Sequence, residues 1–403
     1  MKKSILSILA IAIFVFTSCN SDDDDDDTIP GVFNGIITEQ ADIVPGDLYG
    51  EVQANVTLYK GTDYVLTGAL LVKEGYTLTI EAGVTIVATA GETDTYLAVE
   101  QGAKLIAAGT ATDPITFTSD AENPAAGDWG GIVVAGKTQT NKGDSVQSEV
   151  AGLNYGKPAS EADSADNSGV LTYIIAEYTG AKINGDQEFN GLSLYTVGSG
   201  TTINNIVIKY GADDGIEFFG GTVDVDNVLC VNIADDMFDF TGGYTGTITN
   251  AFGVREDGFT LATDDPRGIE GDSNSSDPTA TPISAPTFEG VTILNLNQTV
   301  ELMAGAEIRR GSIATINNAV FIAYGDASFG HLIDTKDDSG DGTLTITNAY
   351  KMGNVGENNV GGTINGMVIE DTNLFDGINV ASEKGADFSV FSWSGYELPA
   401  IVD

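Results

Sequence analysis

Basic residues are scarce in this chain: 17 Lys and Arg stand against 59 Asp and Glu, a formal charge of −42. Binding nucleic-acid phosphates takes Lys and Arg, so nucleic acid is excluded as a partner, and anionic membrane surfaces with it. Such a surface suits a solvated protein or one that binds divalent cations. Cysteine is nearly absent, with Cys19 in the N-terminal leader and Cys230 in an apolar run. No disulfide framework can form, so rigidity has to come from packing, and Cys230 reads as a small core residue. Histidine occurs once, at His331, beside a glycine and in a turn-like context. It supplies neither a Ser–His–Asp set nor a zinc pattern. Gly220-Gly221 and Gly242-Gly243 precede no helix, so they are turn glycines and not a phosphate loop. Helical periodicity is missing over any three turns, and proline (10) is far rarer than glycine (50). What remains is Val, Ile, Thr, Leu and Tyr in short runs between turns, the pattern of an all-β chain.

Those runs repeat. In the N-terminal half the form is hydrophobic-x-x-Gly-x-x-hydrophobic, at Val72-Gly75-Leu78, Ile80-Gly83-Ile86 and Val99-Gly102-Leu105. Further on it is hydrophobic-x-Asn/Gly-hydrophobic, at Ile203-Asn205-Ile206, Val225-Asn227-Val228, Ile248-Asn250-Ala251, Phe288-Gly290-Val291, Ile316-Asn318-Ala319, Ile346-Asn348-Ala349 and Ile364-Gly366-Met367. The first three of these are spaced by 22 and 23 positions. Short strands with Asn or Gly corners at such a period predict a β-solenoid, in which each coil pairs in parallel with the next and stacked coils share one core. Asn and Gly tolerate the left-handed corner angle, and stacked Asn can form ladders. A pair of β-sandwiches would need more Asn-Gly and Asp-Gly hairpin signals than the chain carries. The fold expected is a right-handed single-stranded parallel β-helix with inserted loops. Residues Ile36 to Tyr64 are expected to cover the first coil, and Phe388, Phe391, Trp393 and Tyr396 to close the last. The polar stretches Lys137 to Asn167, Asp264 to Pro286 and Thr335 to Gly342 read as projecting loops.

The N-terminus has the layout of a secretory signal: Lys2 and Lys3, an apolar core from Ile5 to Phe16, then Thr17-Ser18-Cys19. Phe16-Thr17-Ser18-Cys19 resembles a bacterial lipobox, which implies lipidation of Cys19 and an outer-membrane lipid anchor. Asp22 to Asp27 are six consecutive carboxylates, which repel one another and form a solvated tether. An acidic run after a lipidated Cys is similar to the surface-export signal of Bacteroidota lipoproteins. The division expected is signal peptide 1–18, anchor and tether 19–35, and one β-helix domain with caps at 36–403.

Within the body, Gly127-Asp128-Trp129-Gly130-Gly131-Ile132, Asp213-Asp214-Gly215-Ile216-Glu217-Phe218-Phe219-Gly220-Gly221, Asp235-Asp236-Met237-Phe238-Asp239 and Arg267-Gly268-Ile269-Glu270-Gly271-Asp272 stand out. Together they resemble a Bacteroidota family of secreted or lipid-anchored proteins with a pectin-lyase-like right-handed β-helix, over about Val52 to Trp393. The resemblance implies the fold and the outer envelope, and the acidic run after Cys19 implies display on its outward face. It implies no activity, because the fold carries lyases, hydrolases, adhesins and inert stalks. Asp27-Thr28-Ile29, Asp144-Ser145-Val146 and Asp163-Ser164-Ala165 are similar to that phylum's O-glycosylation acceptor, which makes Thr28, Ser145 and Ser164 the candidate modified residues.

One run of carboxylates keeps phase with the repeat. Asp213 and Asp235 follow their corner markers by ten positions and Asp257 by nine, while Glu217 and Asp239 follow by fourteen. Stacked coils would place such neighbours roughly 5 Å apart, where unscreened carboxylates repel and a hard cation relieves them. The metal-ligating candidates for Ca²⁺ are therefore Asp213, Glu217, Asp235, Asp236, Asp239 and Asp257. The competing role for these aspartates is turn capping in water. No residue is assigned as catalytic. If chemistry occurs, Arg255 beside Glu256 and Asp257 would serve as base, with Arg267 second, and Asp235 and Asp236 as carboxylates. The leading functional expectation is a non-catalytic surface protein for adhesion or for binding a polysaccharide or a surface protein. The alternatives are a Ca²⁺-dependent polysaccharide lyase or glycoside hydrolase, and a structural stalk.

Overall fold

A computed structural model describes residues 35–150, 152–183, 187–372, 374–376, 379–380 and 384–399. Cys19, Asp22 to Asp27 and Thr28 lie outside them. Twenty-six strands join into one continuous sheet whose pairings are all parallel, wound as a right-handed β-helix. The winding has three faces. Face A includes Leu192–Tyr195, Ile216–Phe219, Phe238–Thr241, Arg267–Gly271 and Leu302–Ile308. Faces B and C are the two halves of longer strands such as Thr202–Lys209, Val225–Val231 and Thr247–Arg255, which bend in the middle. Among the described residues no helix is long and apolar enough to cross a membrane.

The bend sits where the repeat predicts. Asn205, Asn227, Asn250, Asn318 and Asn348 have φ between 49° and 59°, and Gly290 has 77°. Each lies between the paired segments of faces B and C, and the Asn250 amide donates to Asn227 Oδ1 one coil below at 3.0 Å. Gly75, Gly83 and Gly102 likewise adopt positive φ in the early coils. Alternation along each strand sends one set of side chains inward: Ile216 and Phe218 are buried in the same core as Phe238 and Phe240, and that core runs unbroken from Ile37 to Ala349. Cys230 is part of it.

Four expectations about the periphery need correction. Ile36 to Tyr64 is not a separate cover; Ile36–Ile37 and Leu48–Val52 pair in parallel as rungs of the stack itself. The tail aromatics do not close the last coil. Residues 384–399 run back along the outside of face C, where Phe391 is fully buried against an apolar stripe that includes Val207, Leu229, Phe252 and Val320. Asn250 and Asn318 pin this strap through Asp387 and Gly385, and Tyr396 donates to Glu256 at 2.9 Å. The stripe exists because face C strands are apolar on both sides, so their outer side has to be covered. The segment Lys137 to Asn167 does not project either: Val150, Leu153 and Tyr155 are buried against Val133, Tyr195 and Phe219 on the outside of face A. Finally, Asp264 to Pro286 is not all loop, since Arg267–Gly271 is a face A strand paired with Phe238–Thr241.

Candidate metal centre

Parallel register carries the chemistry of face A. Ser193 pairs with Glu217, Glu217 with Asp239, Asp239 with Glu270, Glu270 with Glu307, and Glu307 with Asp334. One register position thus stacks five carboxylates in a column about 4.8 Å per step. The corner leading into face A adds Asp213-Asp214 and Asp235-Asp236, a coil apart, with the Asp236 N–H donating to Asp214 Oδ1 at 3.0 Å.

The column divides by its partners. At Glu270 and Glu307 arginines neutralise it. Arg267 faces Asp236 at 3.7 Å, Asp265 at 2.9 Å, Glu270 at 3.8 Å and also Glu307. Arg309 pairs with Glu270 and with Glu307 at 3.3 Å, and Arg310 with Asp272 at 3.0 Å. On the other side, among the described residues, Asp213, Asp214, Glu217 and Asp239 form no salt bridge. Their oxygens nevertheless converge: Asp213, Asp214 and Asp235 offer atoms all within 4.8 Å of one another, and so do Asp214, Glu217 and Asp239. Asp214 belongs to both sets. Burial, reinforced by neighbouring carboxylates, pushes Asp213 up to about 8 and Asp239 up to about 7, and holds Asp214, Glu217 and Asp236 well above the usual range. Burial also raises Asp235, against a hydrogen bond from the Thr263 hydroxyl. Glu149, brought over face A by the 137–167 segment and bonded by the Tyr195 hydroxyl, is pushed up to about 7. Two buried acceptors at this cluster have no hydrogen-bond partner, Asn190 Oδ1 and Asp236 Oδ1. The Asn190 amide meanwhile donates to Glu217 at 2.7 Å.

Of the residues expected to bind metal, Asp213, Glu217, Asp235 and Asp239 come together. Asp236 lies beside them but turns one oxygen toward Arg267. Asp257 does not join: it is exposed on the 256–266 loop and accepts from the Gln298 N–H at 3.2 Å. That loop leaves the corner before the aspartate is reached, so counting from Ile248 misplaces it. Asp214 is the converging carboxylate that phase counting missed; the repeated Asp-Asp dipeptide was its signal.

Arg255 forms no salt bridge with the cluster among the described residues. It is fully buried, donates to the carbonyls of Ile233 (2.8 Å) and Leu261, and lies 5.2 Å from the Phe259 ring centroid. Burial lowers it to about 10. Its role here is to tie the 256–266 loop to the stack. Arg267 is likewise enclosed by carboxylates. His331 Nδ1 lies 3.1 Å from the Glu357 carbonyl oxygen, and its backbone pairs with Ala304. Ser145 and Ser164 both lie exposed on the 137–167 segment.

Beside the aspartates runs a groove. One part, about 490 Å³, is lined by residues including Gly180, Ala212, Ala234, Lys182, Glu188 and Thr263. A second part, about 550 Å³, shares Ala126 and Leu261 with it and adds Tyr178, Tyr210 and Phe259.

A family model described as pectate-lyase like beta helix domain matches residues 50–394. No curated protein and no solved structure matches the chain.

Proposed function

This chain belongs to the pectate-lyase-like beta-helix family, and from that premise we propose a lipid-anchored, cell-surface scaffold that binds a glycan or a partner protein and holds Ca²⁺ at its acidic rungs. The observation that carries the cation is the set of uncompensated carboxylates, Asp213, Asp214, Asp235, Glu217 and Asp239, converging within 4.8 Å in two sets. Ca²⁺ takes six to eight oxygens from flexible carboxylates and carbonyls. Asn190 Oδ1 and Asp236 Oδ1, buried without partners, add acceptors of the kind it needs. The cation stiffens the corner by replacing repulsion between coils with shared ligation. Support for the anchor is the leader ending at Cys19 and the acidic tether after it. Exposed Ser145 and Ser164 fit glycosylation at the outer surface.

Glycan arrays and cell-adhesion assays test the binding role: signal above an unrelated acidic protein is expected in at least one, and silence in both contradicts it. A lyase or hydrolase is the second reading, favoured by carboxylates held protonated near neutral pH, as a general acid requires. It predicts unsaturated or reducing ends released from polysaccharides in the presence of Ca²⁺. The scaffold role predicts none, with Arg255 and Arg267 both committed to structural partners.

A further inference from the structure

We infer that the groove at the corner between faces C and A is a binding site for a neutral oligosaccharide, lying across the Tyr178–Tyr210 stack and edged by Glu188 and Thr263. The inference rests on the glycan-binding role above and gives it a place and a ligand class.

The groove lies over three successive corners, those that follow Glu177, Lys209 and Val231; the second and third return to face A within residues 210–215 and 232–237. Tyr178, Tyr210 and Asn232 start these corners at φ 65°, 60° and 56°, each bonded through its N–H to the coil above. Gly180, Ala212 and Ala234 follow, and their small side chains leave the floor low. The walls are the loops after Ile115–Ser119 and Thr247–Arg255, four strand spacings apart, or roughly 19 Å between backbones. Arg255 fixes the second wall from beneath.

The lining has two chemistries side by side. Tyr178 and Tyr210 stack with centroids 5.3 Å apart and planes 11° off parallel, both half-buried. Phe259 and Leu261, the latter 46% exposed, continue the apolar surface. Opposite stand the Glu92 and Glu188 carboxylates and the Thr263 hydroxyl. A pyranose has this pairing of needs: its C–H faces lie on aromatic rings, and its hydroxyls donate to carboxylates. Charge narrows the class. Among the described residues, the one cation lining either part is Lys182, already paired with Glu188. A uronate or sulfated polymer would meet net repulsion in a chain of charge −42. A basic peptide could use both the carboxylates and, by cation–π contact, the rings, which makes oligolysine the competing ligand in the test.

The test uses the full chain with saturating Ca²⁺, titrated with neutral oligosaccharides, oligogalacturonate and oligolysine. Neutral sugars should bind, and Tyr178→Asn/Tyr210→Asn should weaken them at least about tenfold, the scale set by loss of two ring contacts. Asn is the replacement because Asn232 holds the same corner on the next coil, so the variant keeps its fold. Leu261→Ser, on the wall, should weaken binding independently. Unchanged affinity in both variants overturns the site while leaving glycan binding in place. Binding of oligolysine or oligogalacturonate in preference overturns the ligand class. If no glycan binds yet cell adhesion persists, this inference fails and partner binding stands; loss of both removes the parent role as well.

Discussion

Asn227 and Asp213 show what single positions contribute. Asn227 holds φ 58° between faces B and C and accepts from the Asn250 amide. The left-handed region costs an ordinary L-residue about 1–2 kcal/mol. Asn227→Ala should therefore destabilise by about that much, and Asn227→Gly by less, measured by urea unfolding. Asp213 and Asp239 act through protons. Folded, they titrate at about 8 and about 7; unfolded, carboxyls titrate near 4. A raised carboxyl contributes stability that is full below the unfolded value and lost as pH climbs through the folded one. The Tm of Ca²⁺-free protein should accordingly fall between about pH 5 and 8.5, and Ca²⁺ should flatten that slope. A flat profile without Ca²⁺ would show that these carboxyls are not suppressed. The Asn corners were legible in the sequence because one backbone angle selects two residue types. The ligand set was only partly legible. Glu217 and Asp239 lie inside strands, where register fixes their partners. Asp214 and Asp257 lie in corners, where alternation stops and loop length decides.

At the level of elements, the strap over face C and the 137–167 segment over face A do similar work. Each covers apolar surface on the outside of the winding, which a two-sided apolar strand makes necessary. Phe391 is fully buried beneath the strap. Phe391→Ala should cost about 3–5 kcal/mol in urea unfolding, the usual range for an emptied aromatic site. Removing residues 384–403 should expose Val207, Leu229, Phe252 and Val320 and raise dye binding to apolar surface. Composition could not foresee these placements. The aromatic cluster at Phe388 to Tyr396 advertised burial without saying against what. The polar tone of Lys137 to Asn167 hid Val150, Leu153 and Tyr155, three apolar anchors spread among Gly, Ser and Asp.

For the whole molecule, stacking turns a sequence period into a column of side chains. The same register that aligns Phe218 with Phe240 inside aligns Glu217 with Asp239 outside. A core can be stacked without limit, but charge cannot. Arg267, Arg309 and Arg310 settle the repulsion at one end of the column, and at the other the account assigns that task to Ca²⁺. Calcium titration of EDTA-stripped protein by calorimetry, wild type beside Asp214→Asn, tests this most directly. The account predicts saturable binding with a rise in Tm for the wild type, both lost in Asp214→Asn because that carboxylate serves both sets. Equal heats from the two proteins, or no heat from either, would contradict it.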